Sequence, residues 1–147
     1  MSGNLIVGMI ITIVNMSIQC VVVSYLLRLL FFFDKKQYIQ PTLTGSMPIL
    51  IISLIALFVG NLVQISLWAI LFLYFNEFSS FSPAFYHSTV NFATLGYGDF
   101  VMSEQRRLLG ALEAANGVLM FGLTTGFLYT VLSDLMHRGW QNKDLKS

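Results

Sequence analysis

Charge is what this 147-residue chain has least of: eight lysines and arginines and seven aspartates and glutamates, 10% of all residues. So little charge, net +1, excludes the basic stripe with interleaved aromatics that a nucleic-acid-binding surface needs, and no nucleic-acid partner is expected. There is a single cysteine, Cys20, so no disulfide can close within the chain and no thiolate metal cluster can form. Cys20 is expected as a small buried apolar residue. Two histidines, His87 and His137, lie too far apart to suggest a metal site. No H-E-x-x-H, G-x-S-x-G or phosphate-binding loop occurs, which leaves an enzyme little support. No segment repeats arginine at every third position, so a voltage sensor is not expected.

What fills the chain instead is apolar: 56% hydrophobic residues and 13 phenylalanines, a composition that indicates a membrane protein rather than a soluble domain. Three runs are long enough to cross a hydrocarbon core of roughly 30 Å as helices. They are Leu5 to about Phe33, Met47 to about Phe75, and Leu108 to about Ser133. The first begins without a basic segment, its first charge being Arg28, and is too long for a cleavable leader, so it reads as a retained span. Asn15 and Gln19, one turn apart on it, are expected to seek partners across a helix interface. Phe72, Tyr74 and Phe75 are expected at the membrane interface. Asp34 to Ser46 reads as a connecting loop and Asp134 to Ser147 as a polar tail. Arg28, Lys35, Lys36, Arg138, Lys143 and Lys146 fall on one side of the spans, Arg106 and Arg107 on the other. That bias predicts a cytoplasmic first loop and C-terminus and an outer N-terminus.

Between the second and third runs lies Tyr86-His87-Ser88-Thr89-Val90-Asn91-Phe92-Ala93-Thr94-Leu95-Gly96-Tyr97-Gly98-Asp99. Ser82 and Pro83 predict an N-cap and first residue for a helix from Pro83 to about Ala93, too short to cross and therefore re-entrant. Glycines and a carboxylate at this depth are tolerated only along an enclosed or watery path. Gly96 and Gly98 allow the positive φ that aligning successive carbonyls requires.

The T-L-G-Y-G-D ending of this stretch resembles the selectivity filter of potassium channels, and residues 47–134 resemble the two-helix pore module of that family. The resemblance implies an all-α membrane protein of three transmembrane helices plus a re-entrant pore helix and filter loop, assembled as a homotetramer in the cell membrane. It divides the chain into an extra helix and loop (1–46), the pore module (47–134) and a short tail (135–147). It implies potassium as the permeant ion, with no cofactor, held by carbonyls of Thr94, Leu95, Gly96, Tyr97 and Gly98 and by the Thr94 hydroxyl. Tyr86 would brace Asp99 and His87 would brace Tyr97. Gly117 would be a gating hinge or, equally, a close-packing glycine. Val118, Phe121, Thr125 and Tyr129 would face the cavity or its exit. Leu95 departs from the family's usual valine, Ala93 from a threonine, and Val90 from a carboxylate that some members keep behind the filter. Glu113 is expected to pair with Arg106, or with Arg107 of a neighbour, or to sense pH. The extra N-terminal helix is expected to brace the assembly or to meet a partner protein. The other readings are a non-selective cation channel and a non-conducting adaptor.

Overall fold

The computed structural model describes residues 2–35 and 43–144. It is all-helical among the described residues, with α1 at Ser2–Lys35, α2 at Leu43–Tyr74, α3 at Phe81–Phe92 and α4 at Arg107–Asp144. Without water in a hydrocarbon core every backbone polar group must be satisfied within the segment, and helices do this. The hydroxyls follow the same rule: Thr12, Ser17, Ser66, Thr89 and Thr130 each donate to the carbonyl four residues earlier. Three helices are long and apolar enough to cross a membrane, at Ser2–Leu30, Met47–Tyr74 and Arg107–Asp134.

Four boundaries depart from expectation. The short helix begins at Phe81 with Ser80 as N-cap, not at Pro83. Pro83 then sits third in the first turn, where its missing N–H costs no intrahelical bond. The expected loop at 34–46 is trimmed at both ends, because α1 runs to Lys35 and α2 starts at Leu43, with Pro48 inside it; Pro41 lies outside the described residues. The expected polar tail continues as helix, since α4 reaches Asp144. Cys20 is exposed rather than buried.

The short α3 packs between α2 and α4, while α1 lies against α2 and α4 and makes no contact with α3. Trp68, Phe72, Phe92, Leu109 and Met120 are fully buried in the core beside α3. Phe72 belongs to this core, packed against Trp68, Phe78 and His87. A second core of Leu26, Leu57, Phe127 and Val131 closes the far end of the bundle.

Between the two cores Gln19 is fully buried. Its Nε2 donates to Thr124 Oγ1 at 3.0 Å and its Oε1 accepts from Gln64 Nε2 at 2.8 Å, so one side chain ties three helices together. Asn15, also fully buried, has no partner for its amide among the described residues. Near the start of α1 Arg106 donates to Asn4 Oδ1 at 2.8 Å and lies 3.7 Å over the Phe75 ring, and Asn4 donates to the Gln105 carbonyl. The first helix is thus bonded to the rest at two depths. Gln19→Leu removes the middle tie and leaves Gln64 and Thr124 to find other partners. It is expected to lower stability by about 1–2 kcal/mol, read as a lower melting temperature in detergent with the helical signal unchanged.

Candidate ion pathway

The end of α3 sets the geometry of everything after it. Thr94 N–H bonds to the Asn91 carbonyl at 2.8 Å and Leu95 N–H to the Val90 carbonyl at 2.9 Å. This pair of bonds terminates a helix by placing one residue in the left-handed region, a position usually given to glycine. Here that residue is Thr94, with φ of 58°. For a β-branched side chain this conformation is an outlier costing on the order of 1–3 kcal/mol, of the kind that collects at functional sites.

Gly96 at 59° and Gly98 at 74° repeat the conformation at every second residue. In an extended strand successive carbonyls point to opposite sides; inserting a left-handed residue at alternate positions turns each peptide so that consecutive carbonyls can share one side. A row of carbonyls that shares one side is a ladder of partial negative charges. Thr94 through Asp99 are all exposed in the single chain, with Leu95 at 53% and Tyr97 at 66%.

Around this loop the structure places the other candidates. Tyr86 donates its phenol to Asp99 Oδ2 at 2.7 Å, and Asp99 Oδ1 accepts from the Phe100 N–H at 3.1 Å. That bond to Asp99, some burial and the carboxylate's charge hold the Tyr86 phenol above its ordinary pKa. His87 is not bonded to Tyr97 of its own chain. Its Nδ1 lies 3.0 Å from the Phe100 carbonyl and its Nε2 2.8 Å from Asn91 Nδ2. Glu77 accepts from both the N–H and the hydroxyl of Ser103, at 2.8 and 2.7 Å, which fastens the turn before α3 to the segment after the loop.

Glu113 does not form the expected pair with Arg106 of its own chain. It is fully buried inside the chain, where the Ser88 hydroxyl bonds its Oε1, and Arg106 is engaged with Asn4 and Phe75 instead. Ser88 also lies 2.9 Å from the Ile65 carbonyl, so it joins α2, α3 and α4. Neither Ser88 nor Asn91 stood out in the sequence. Their only signal was polarity on the faces of a short helix that has to be covered on two sides.

Gly117 meets the end of α3 directly. A Cβ built there would lie 1.9 Å from the Phe92 carbonyl oxygen, so α4 crosses the helix terminus at backbone contact. Val118, Phe121, Thr125 and Tyr129 follow at helical spacing and are all exposed in the single chain. Phe121 also packs edge-on against Phe92, ring centres 5.7 Å apart. Apart from that contact of Phe121, the stripe is exposed among the described residues.

A family profile described as an ion channel matches residues 49–134, more than half of the chain. The chain belongs to this ion channel family. The match takes in α2 from Ile49, all of α3 and the loop after it, and α4 as far as Asp134. It leaves out α1, so the helix tied on by Gln19 and Asn4 lies outside the shared channel region. With three apolar helices of spanning length, this ion channel is a multi-pass membrane protein. Comparison with curated proteins and with solved structures gave no match.

Proposed function

We propose that four copies of this chain form a potassium-selective channel, with Thr94 to Gly98 of each copy lining a common axis. The observation that carries the reading is the left-handed backbone recurring at Thr94, Gly96 and Gly98. In this reading the carbonyls of Thr94, Leu95, Gly96, Tyr97 and Gly98, with the Thr94 hydroxyl, replace the hydration shell of potassium. Potassium is the transported substrate, and no cofactor takes part.

The exposure of the whole loop supports an assembly, because irregular backbone at membrane depth must be enclosed by protein. One filter segment per chain makes four copies the closed arrangement. Each α3 would aim its C-terminal end, carrying about half a negative charge, at the centre and favour a cation there. The exposed stripe of Val118, Phe121, Thr125 and Tyr129 would line the cavity below, and a ring of Tyr129 would narrow its cytoplasmic exit. Tyr86 and Asp99 would hold the outer mouth in shape. The channel would sit in the cell membrane with its N-terminus outside and its C-terminus in the cytoplasm, as the basic residues direct. The helix outside the shared region would brace each subunit at the rim, where a partner protein could also reach it.

Rubidium uptake into liposomes holding the purified protein tests this reading. Uptake should be driven by a potassium gradient and should persist against excess external sodium. Equal passage of sodium would make the pore non-selective, and no passage would make the protein an adaptor.

A further inference from the structure

Behind the filter lies a cleft of about 280 Å³ bounded by His87, Asn91, Gly96, Gly98, Phe100 and Arg107, among others. His87 forms part of its wall, and its two contacts restrict the imidazole to one protonation state. The Phe100 carbonyl can only accept, so Nδ1 at 3.0 Å from it carries the hydrogen. The Asn91 amide nitrogen can only donate, so Nε2 at 2.8 Å from it is bare. The chain of donors runs from Asn91 through the ring to the carbonyl of Phe100. Only the neutral Nδ1–H tautomer completes it.

We propose that His87 and Asn91 are positioning residues that hang the segment after the filter on the pore helix, and that proton uptake by His87 from the outer side releases it. The inference rests on the potassium-channel reading above. A proton on Nε2 would set an N–H against the amide hydrogens of Asn91, turning an attraction into a repulsion. Phe100 follows Asp99 directly, so a loosened hold at its carbonyl is felt at the outer end of the filter.

Charged groups surround the ring and its clamp, Glu113 of α4 among them through a hydrogen bond with the Asn91 side chain. Asp99 lies beside it on the filter side, Glu77 at the turn before α3, and Arg107 of α4 across the cleft. Helix α2 and the turn after it contribute the rings of Phe72 and Phe78, 5.7 and 5.0 Å from the imidazole. Burial pushes the His87 pKa below its ordinary 6.5, against the opposing pull of the Phe100 carbonyl, Asp99 and Glu77. The neutral clamped form therefore prevails at neutral pH, and release belongs to the acid side of the usual histidine range.

Two readouts test the proposal. In the purified assembly carrying His137→Gln, so that a single imidazole reports, nitrogen NMR at pH 7.5 should show His87 protonated at Nδ1 and bare at Nε2. The opposite tautomer would overturn the clamp, and so would a doubly protonated ring, which a reversed Asn91 amide would accommodate. In planar bilayers, potassium current should fall several-fold as the outer pH is lowered from 8 to 5. Asn91→Asp should invert that dependence, because a carboxylate facing Nε2 makes the protonated ring the clamped form, and current should then be lost as pH rises. A flat wild-type profile, or an unchanged acid fall in Asn91→Asp, would refute the release. An assembly passing no potassium at any pH would count against the channel reading itself, and the NMR tautomer would then decide the clamp independently.

Discussion

Gly117→Ala is expected to abolish rubidium uptake and to lower the melting temperature of the assembly together. The added methyl would fall 1.9 Å from the Phe92 carbonyl oxygen, with that residue's carbonyl carbon and Cα at 2.8 and 3.1 Å. All three atoms are backbone, so no side-chain rotation relieves the clash. Either α4 moves away from the end of α3 or the α3 terminus distorts, and the proposed filter begins two residues after Phe92. Overpacking of this kind costs roughly 1–3 kcal/mol per site. A glycine serving only as a hinge would behave differently: alanine would alter opening while leaving thermal stability intact. Heating the detergent-solubilised assembly and following its elution separates the two roles.

Gly96→Ala and Gly98→Ala are expected to eliminate selective uptake for a different reason. Nothing lies within 4 Å of a Cβ added at either position, so the space is open within the chain. The penalty is conformational: φ of 59° and 74° costs an L-residue on the order of 1–2 kcal/mol each. A side chain that prefers negative φ would turn the peptide over and remove a carbonyl from the row. A D-alanine at Gly98, whose favoured φ is positive, should retain uptake where L-alanine loses it. Loss with both would mean that the added bulk, not the backbone sign, is the cause, and the alignment argument would fall.

Much of the architecture was legible because hydrocarbon imposes simple demands. Three long apolar runs and one short polar-flanked helix could be placed from length alone, and the structure has them. The boundaries were less legible where local signals compete. Ser82-Pro83 looks like a helix start, yet proline is accepted anywhere in a first turn, and the helix begins earlier. The residues after Asp134 are polar, yet polarity outside a membrane does not end a helix.

The pathway residues divide along a similar line. Gly96 and Gly98 announced their backbone because glycine is the usual bearer of positive φ. Thr94 gave no such sign, since its conformation follows from the two hydrogen bonds that end α3. Glu113 was visible as an anomalous charge, but its partner Ser88 lies 25 residues away on another helix, and only packing brings them together. His87 was expected beside Tyr97; within the chain it turns to Phe100 and Asn91, because there its bare Nε2 meets an amide donor and its Nδ1–H meets a carbonyl acceptor.

The reversal potential of reconstituted single channels, with potassium on one side of a planar bilayer and sodium on the other, tests the central claim most directly. The account predicts a potential that follows potassium alone and moves with its concentration in the manner of a potassium electrode. A potential near zero, unmoved when one ion is exchanged for the other, would contradict it.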